Sequence, residues 1–203
     1  VRSRRLGVSL GINLLPANRK ICNFNCIYCE CGWTGKSEAS AGELPTRKEV
    51  YEALEKNLSS MKDNNEAPDV ITYAGNGEPT LHPRFPDVVR EVIALRDGEA
   101  PGVPIAVLSN ASTLDRPGII DTLCLVDERY MKLDAGDAAM LRSVNGAAVP
   151  FEQLVAGLQA LPDCKIESQE ESVTGSLIIL DARLTFTEDG QTRKRWVQLV
   201  YKG

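Results

Sequence analysis

The stretch ICNFNCIYCEC, residues 21–31, decides how the rest of this 203-residue chain is interpreted. It places Cys22, Cys26 and Cys29 at spacings of three and then two intervening residues, and Cys31 follows shortly after. Three thiolates this close together can close a short loop around one compact centre of soft metal ions. The spacing therefore predicts a metal site whose ligands are Cys22, Cys26 and Cys29.

Disulfide bridges, a zinc site and inert thiols are alternative roles for these cysteines. A disulfide framework is disfavoured, because cysteines this close in sequence rarely form disulfides without strain. A chain of this length can also fold around its own hydrophobic core without stabilising disulfides. A zinc ion with Cys31 as fourth ligand is the stronger rival, although the spacing matches none of the usual zinc patterns. A [4Fe–4S] cube usually takes four cysteines, so a loop that supplies three leaves one iron with an open position.

Length and composition describe an ordinary globular chain. Hydrophobic residues make up 43% and charged residues 25%, with a net charge of −5, so no overall basic field favours nucleic acid. No apolar run approaches the ~18 residues of a membrane span, and no signal peptide opens the chain. Clustered cysteines that stay reduced then predict that the protein is located in the cytosol.

Apolar segments alternate with segments of helical periodicity, and a capping box of Thr46 and Glu49 opens the first helix. The predicted strands are 6–15, 69–74, 104–108, 129–133 and 164–168. The predicted helices are 46–62, 87–96, 115–125, 137–144 and 151–161. This alternation is typical of βα units. We therefore expect an α/β fold, an open parallel (βα) half-barrel or partial TIM-like barrel over residues 1–169. A β-hairpin tail over 170–203 would turn at Asp189-Gly190.

Parallel α/β sheets bind ligands at the carboxyl ends of their strands, and polar motifs follow three of the predicted strands. The first motif is GNGEPT, residues 75–80. Its two glycines permit a close approach of the backbone to a ligand, and Glu78 offers a carboxylate to an ammonium group. The alternative is a turn without a ligand.

The other two motifs are SNAS, residues 109–112, and KLDAGD, residues 132–137. The short hydroxyl and amide side chains of SNAS suit a ribose or a carboxylate, or they cap the next helix. Lys132 and Asp134 lie two apart on a strand and face the same side. Charged groups there need a ligand or each other. Asp137 is predicted to cap a helix.

Together these motifs resemble the radical S-adenosylmethionine (radical SAM) superfamily, and within it the branch related to wyosine (tRNA) synthases. The resemblance covers about residues 2–169. It implies a [4Fe–4S] cluster whose open iron binds the methionine moiety of S-adenosylmethionine. Reductive cleavage would give methionine and a 5′-deoxyadenosyl radical that abstracts hydrogen from a substrate the sequence does not identify.

The resemblance also implies site residues and partners. Tyr28 would pack near the adenine, and Gly77 and Glu78 would hold the methionine end. Ser109, Asn110 and Asp134 would face the ribose and carboxylate. The implied cofactor contacts are Tyr28, Asn76, Gly77, Glu78, Pro79, Ser109, Asn110 and Asp134, with Asn76 standing where the family has Gly. The resemblance implies an electron donor such as flavodoxin or ferredoxin, and it implies no membrane partner. A tRNA partner, which the net charge disfavours, and a non-catalytic zinc-binding module are the alternatives.

Overall fold

The computed structural model describes residues 2–3, 6–35, 44–161, 165–174, 177–188 and 191–202, with side chains described in 6–35 and 44–161. Strands and helices alternate through the first 161 residues. The strands are β1 (Arg2–Ser3), β2 (Gly7–Ile12), β3 (Val70–Tyr73), β4 (Ile105–Ser109) and β5 (Glu128–Met131). The helices are α1 (Arg47–Asp63), α2 (Phe85–Glu99), α3 (Ile119–Leu123), α4 (Ala138–Asn145) and α5 (Phe151–Ala160).

One sheet holds the first five strands in the order β1–β2–β3–β4–β5. Strands β2 to β5 run parallel, and β1 pairs antiparallel with β2 at the edge. A helix separates each consecutive pair of parallel strands. The predicted open parallel half-barrel is therefore confirmed, and the loops after β2, β3, β4 and β5 leave the same edge of the sheet.

Helix α1 begins as the sequence predicts. The Thr46 hydroxyl accepts the Glu49 N–H (3.2 Å), and the Glu49 carboxylate accepts the Thr46 N–H (2.7 Å), which completes the capping box. Val50, Leu54 and Leu58 lie on one stripe and are buried. The local signals sufficed here because a cap and an apolar stripe both act within a few turns of the same helix.

Helix α3 is shorter than predicted. It covers Ile119–Leu123, whereas the periodicity predicts a helix over 115–125. Pro117 precedes Gly118, which takes a left-handed conformation with φ +77° just before the helix. A left-handed residue cannot continue a right-handed helix, so the segment before Ile119 forms a turn.

The core lies between the parallel sheet and its helices. Strand β3 is buried along its whole length, and Tyr73 packs edge-on against Phe85 of α2 with ring centroids 5.8 Å apart. The Tyr73 hydroxyl donates to the Val88 carbonyl (3.4 Å), so this large side chain buries its polar end with a partner. These contacts fix α2 on the sheet.

The C-terminal strands β6 (Lys165–Thr174), β7 (Leu177–Glu188) and β8 (Gln191–Lys202) form a separate antiparallel sheet in the order β6–β7–β8. The predicted hairpin is present, because β7 pairs antiparallel with β8 up to Glu188 and Gln191. Its predicted turn, Asp189-Gly190, lies outside the described residues, as does Cys164.

The prediction of a fifth parallel strand over 164–168 is wrong, because β6 pairs antiparallel with β7 and belongs to the second sheet. Its sequence, KIESQEESVT, is rich in charged residues, whereas a central parallel strand is buried on both faces and reads as an apolar run. None of the helices in the described part of the chain combines the length and apolar character that crossing a lipid bilayer requires.

Candidate metal centre

The cysteine loop, residues 21–31, follows β2 and is attached to the turn after β3. The Ile21 N–H donates to the Asn76 carbonyl (2.8 Å), and the Ile21 carbonyl accepts the Glu78 N–H (3.0 Å). These bonds form a parallel β-bridge between Ile21 and Gly77. The residue just before Cys22 is therefore fixed by backbone bonds alone.

The other side of the cysteine loop is attached to the end of α4. A helix leaves its last carbonyl groups without partners inside the helix. The Asn145 carbonyl accepts the Asn25 N–H (2.7 Å), and the Val144 carbonyl accepts the Ile27 N–H (2.9 Å). Gly146 ends the helix with φ +53°, and a β-carbon there would stand 3.1 Å from Asn25. The end of α4 is thus satisfied by the cysteine loop, which it holds in place.

The predicted metal ligands line one cavity, called the cysteine cavity below, with a volume of about 460 Å³. Cys26 is buried, Cys22 and Cys29 are half-buried, and Cys31 is exposed. The cavity lies where the predicted motifs meet at the carboxyl ends of the strands. Among the residues that line it are Lys20, Cys22, Cys26, Cys29, Cys31, Gly75, Gly77, Glu78, Ser109, Asn110, Lys132 and Asp134.

Side-chain nitrogen donors point at the sulfur atoms of Cys22 and Cys26. The Asn110 amide donates to Cys22 Sγ (3.5 Å). Both the Lys132 ammonium and the Asn145 amide donate to Cys26 Sγ, each at 3.3 Å. Hydrogen bonds of this kind stabilise a thiolate more than a thiol, and they are among the factors that set the properties of sulfur-bound metal centres.

The thiols differ in their tendency to ionise. Burial raises the pKa of Cys22, against the opposing effect of the Phe24 N–H. Burial would also raise the pKa of Cys29, but hydrogen bonds from the Cys31 backbone and the Lys20 ammonium outweigh it and lower that pKa. Burial, followed by the neighbouring Cys29, raises the pKa of Cys31. Of these three thiols, only Cys29 has a surrounding that favours the thiolate, the form that binds metal.

Glu78 is 2% exposed, and its carboxylate receives hydrogen bonds from four groups of its own chain. One oxygen accepts the Thr80 N–H (3.1 Å), the Thr80 hydroxyl (2.5 Å) and the Ser109 hydroxyl (2.9 Å). The other accepts the Asn110 N–H (2.6 Å). Burial raises the pKa of Glu78, and these four bonds act in the opposite direction. Since a carboxylate has about four acceptor positions, this arrangement favours a bond between the loops after β3 and β4 over a pair with a ligand ammonium.

The two glycines of the same turn make close approaches inside the protein. A β-carbon on Gly77, where φ is +139°, would overlap the Ile21 carbonyl oxygen, and one on Gly75 would overlap the Asn13 amide. The sequence predicts that these glycines leave space for a ligand. The structure gives a second reason for them, because the cysteine loop itself occupies the space beside Gly77.

Two predicted cofactor contacts have side chains engaged away from the cysteine cavity. The Asn76 amide donates to the carbonyls of Pro16 and Ala17, each at 3.0 Å. Pro79 is buried at the start of a short 3-10 turn, Pro79–Leu81. The replacement of the family's Gly by Asn76 therefore adds a tie to the segment after β2. A role for either residue in cofactor binding stays a prediction.

The loop after β4 is tied to the cysteine loop through Asn23. The side-chain Oδ1 of Asn23 accepts hydrogen bonds from the Asn110 amide (3.0 Å) and the Ser112 hydroxyl (2.9 Å). Ser109 and Asn110 both line the cysteine cavity, as the sequence predicts for ribose-binding groups. The alternative role of SNAS as a helix cap is not observed, because α3 begins only at Ile119 and its capping residue is Gly118.

Asp134 is the hub of a polar cluster beside Cys26. Its buried carboxylate accepts hydrogen bonds from the Tyr28 hydroxyl and the Asn145 amide (2.6 Å), and it pairs with the Lys132 ammonium at 3.0 Å. The Lys132 ammonium also lies 4.5 Å from the centre of the Tyr28 ring. Burial, and then Asp134, raises the pKa of Tyr28. The sequence predicts that Lys132 and Asp134 need a ligand or each other, and the structure shows the pair; a ligand contact of Asp134 stays a prediction.

Sequence reasoning missed two residues of the site. Lys20 is 6% exposed, and its ammonium donates to the Gly32 carbonyl (3.0 Å) as well as bonding Cys29. Asn145 is fully buried and bonds Cys26 and Asp134. In the sequence Asn145 reads only as the last residue of a helix before a glycine. Its role follows from the packing of α4 on the cysteine loop, for which the sequence offers no local signal.

The donor set fits an iron–sulfur cluster. Three soft thiol donors line one cavity, and amide and ammonium groups are directed at their sulfur atoms. A zinc ion would require all its ligand sulfurs within about 2.3 Å of one point. In the parts of the chain with described side chains, no three His, Cys, Asp or Glu residues form such a single-ion group.

Comparison with protein families gives one match, to a family described as the radical SAM superfamily, over residues 20–181. This match begins just before the cysteine loop, covers all the motifs at the strand ends, and continues into β7. It therefore includes every residue that lines the cysteine cavity from Lys20 onward.

Individual relatives are also similar. A UPF0026 protein of Methanocaldococcus jannaschii is 29% identical over 191 residues, which cover 93% of this chain and 55% of that protein. A UPF0026 protein of Helicobacter pylori is 34% identical, covering 71% and 44%. A protein named GTPase Obg of Brachyspira hyodysenteriae is 31% identical, covering 78% and 22%. The chain spans about half or less of the length of these three relatives.

Proposed function

Because the chain belongs to the radical SAM superfamily, we propose that its cysteine cavity holds a [4Fe–4S] cluster and S-adenosylmethionine. One observation carries this proposal. The thiols of Cys22, Cys26 and Cys29 line a single cavity with the loops that follow β3, β4 and β5. Parallel α/β folds bind their ligands at this edge, and the clustered, reduced thiols fit a reducing compartment such as the cytosol.

The cluster, when bound, supplies the electron that cleaves S-adenosylmethionine to methionine and a 5′-deoxyadenosyl radical. The protein's own part is binding, orientation and exclusion of water. Cys22, Cys26 and Cys29 would hold three irons as thiolates. Asn110 and Asp134 both line the cavity and would offer polar groups to the cofactor. Asn110 bonds Cys22, and Asp134 pairs with Lys132, which bonds Cys26.

The methionine end is proposed to meet the turn after β3 through its backbone. The Glu78 carboxylate already accepts four hydrogen bonds from its own chain, and Gly75 and Gly77 line the cavity beside it. Glu78 then acts as a positioning residue that holds two loops together. Tyr28 and Ser109 remain proposed contacts of the adenosine moiety.

The substrate stays open. The net charge of −5 does not favour a polyanionic tRNA, and the similar proteins named UPF0026 give no support to the branch related to wyosine synthases. An electron donor of the flavodoxin or ferredoxin type is proposed only because the reaction consumes one electron. The half-barrel's activity in a longer protein is likewise a proposal.

The test is anaerobic reconstitution of the chain with iron and sulfide, followed by addition of dithionite and S-adenosylmethionine. We expect about four irons per chain, the brown absorption of a [4Fe–4S] cluster, and 5′-deoxyadenosine that forms only when dithionite is present. Stoichiometric zinc binding with no iron uptake would instead support the non-catalytic zinc-binding module.

The domain boundary near residue 169 is a separate proposal. The family match extends to 181, so chains ending at 169 and at 181 should be compared for iron uptake. Both should assemble the cluster, since all three proposed ligands lie before residue 30. Loss of iron from soluble protein that ends at 169, but not at 181, would move the boundary into β7.

A further inference from the structure

Two lysines approach two different thiols of the cysteine cavity. Lys20 directly precedes the cysteine loop, is almost completely buried, and bonds Cys29. Lys132 follows β5, and its ammonium lies 3.3 Å from Cys26 Sγ. The two ammonium groups thus come from distant parts of the chain and meet the cysteine loop at separate sulfurs.

Each ammonium is held by a second acceptor that fixes its position. The Lys20 ammonium donates to the Gly32 carbonyl (3.0 Å), which belongs to the turn that follows Cys29. The Lys132 ammonium pairs with Asp134 at 3.0 Å and lies over the Tyr28 ring. Positions fixed in this way add little side-chain entropy cost when a group binds, because the rotamers are already set.

Both lysines line the cysteine cavity together with Cys22, Cys26 and Cys29. The Gly32 N–H donates to the Cys29 carbonyl (3.0 Å), so the residue that accepts the Lys20 ammonium is itself bonded to Cys29. Charges a few ångströms apart interact more strongly near a partly buried site than in water, so these groups act on any change of charge in the cavity.

We propose that Lys20 and Lys132 are positioning residues that raise the reduction potential of a [4Fe–4S] cluster bound at Cys22, Cys26 and Cys29. The inference rests on the proposed function. Three thiolates give the centre a net negative charge, and reduction adds one more electron without a proton or a change of bonds. Fixed positive charges beside the thiolates stabilise this more negative state.

The geometry also predicts an opposite effect for Asp134. Its carboxylate lies in the same cluster, 3.0 Å from the Lys132 ammonium and bonded to the Asn145 amide that contacts Cys26. Replacing it by Asn keeps the shape and removes one negative charge beside the sulfurs. The same electrostatic argument then predicts a higher reduction potential. Opposite shifts from two neighbouring residues are not expected from general damage to the site.

The experiment is an anaerobic redox titration of the reconstituted chain with dithionite and mediator dyes, followed by the electron paramagnetic resonance signal of the reduced cluster. The variants are Lys20→Met, Lys132→Met and Asp134→Asn. Lys56→Met, on the exposed face of α1, is the control. We expect each of the two site lysine variants to lower the ratio of reduced to oxidised cluster at a fixed potential by about tenfold, which equals about 59 mV for one electron. Asp134→Asn should raise this ratio, and Lys56→Met should leave it unchanged.

Lys20→Gln and Lys132→Gln are prepared alongside, because Gln removes the charge and keeps a donor in the side chain. Iron-loaded variants with the potential of the unchanged protein would overturn this inference and leave the proposed function intact. Loss of iron from all four site lysine variants would also overturn this inference, because it would show that the lysines are needed to assemble the cluster rather than to set its reduction potential. A wild-type chain that takes up no iron would overturn the proposed function, and the inference with it.

Discussion

The cysteine loop, residues 21–31, and the GNGEPT turn, residues 75–80, meet at one edge of the sheet but use their side chains in opposite ways. The loop directs the thiols of Cys22, Cys26 and Cys29 into the cavity. The turn uses its side chains within the protein itself, with Glu78 bonded to the loop after β4 and Asn76 to the segment after β2. Both stretches are equally recognisable as motifs, yet one presents thiols to a cavity and the other uses its side chains to hold the surrounding loops together.

This difference shows what a motif can and cannot reveal. A sequence pattern identifies positions where only certain residues work, but the constraint can come from a ligand or from the fold. Gly77 is required because a β-carbon would overlap the Ile21 carbonyl oxygen, a constraint from the frame. The thiols of Cys22, Cys26 and Cys29 instead line a cavity, and their role as ligands is the constraint that we propose for them.

The largest expected effect comes from the cysteines. Cys22→Ala, Cys26→Ala and Cys29→Ala should each abolish cluster assembly, because each removes the only protein ligand of one iron. Iron per chain after anaerobic reconstitution should fall from about four to near zero.

Cys31→Ala is the matched control for these variants. Its side chain lines the same cavity but is exposed, and three thiolates already supply all the protein ligands of the proposed site, so we expect full iron content. If Cys31→Ala loses iron as completely as the other three, the site has four thiolate ligands and no open iron for S-adenosylmethionine.

The next effect tests the frame through Gly77. Gly77→Ala should destabilise the chain by about 2–5 kcal/mol, since it combines a strained φ with overlap against backbone that cannot move aside. Thermal unfolding should show a much lower midpoint, and iron uptake should fall because the Ile21–Gly77 bridge positions the cysteine loop. Gly98→Ala in α2, where a β-carbon meets nothing within 4 Å, should stabilise the chain by about 0.5–1 kcal/mol. Equal stability of the two variants would contradict the role of the bridge.

The contrast between these two glycines illustrates how far sequence reasoning reaches. The cap of Thr46 and Glu49, the cap at Asp137 and the alternation of strands and helices depend on neighbours in the sequence, and all three are predictable. The contact of Asn145 with Cys26 joins residues 119 positions apart. It exists only because α4 ends against the cysteine loop, so no local pattern indicates it.

The surroundings of Glu78 are hidden from the sequence for a related reason. The sequence shows a carboxylate after a strand, and an ammonium of the ligand is a natural partner for it. The four donors that surround this carboxylate are two backbone N–H groups and two hydroxyls, and those of Ser109 and Asn110 lie about thirty residues away. This set of four donors comes together only when β3 and β4 are paired. It changes the effect expected of a substitution at Glu78 from a loss of ligand affinity to a loss of stability.

Glu78→Gln should therefore act mainly on stability. The Thr80 and Asn110 N–H groups face different oxygens of the carboxylate, so in either orientation the new amide NH₂ meets a donor. We expect a loss of about 1–3 kcal/mol and a midpoint lower by roughly 2–12 °C. Glu66→Gln, an exposed residue, should change nothing. A direct pair with the methionine ammonium predicts instead an unchanged midpoint and an S-adenosylmethionine affinity lower by roughly 10- to 150-fold, which calorimetry would detect.

The smallest effect concerns His82, the only histidine, at the end of the same turn. Its Nε2 bonds the Pro45 carbonyl (3.1 Å) and its Nδ1 accepts the Arg84 N–H (3.2 Å), so the ring is held neutral. Burial lowers the pKa of His82, and Arg84 adds to this against the opposing Pro45 carbonyl. The unfolded chain, with a histidine pKa of about 6.5, then binds the proton more readily than the folded one. The contribution of His82 to stability is complete above that pH and falls as the pH drops through it toward the folded pKa.

The thermal midpoint of iron-free protein should be a few degrees higher at about pH 7.5 than at about pH 5.5. In His82→Gln, which keeps a donor for Pro45, this difference should shrink. A variant that keeps the full difference would show that His82 does not titrate with folding and that other groups set the slope.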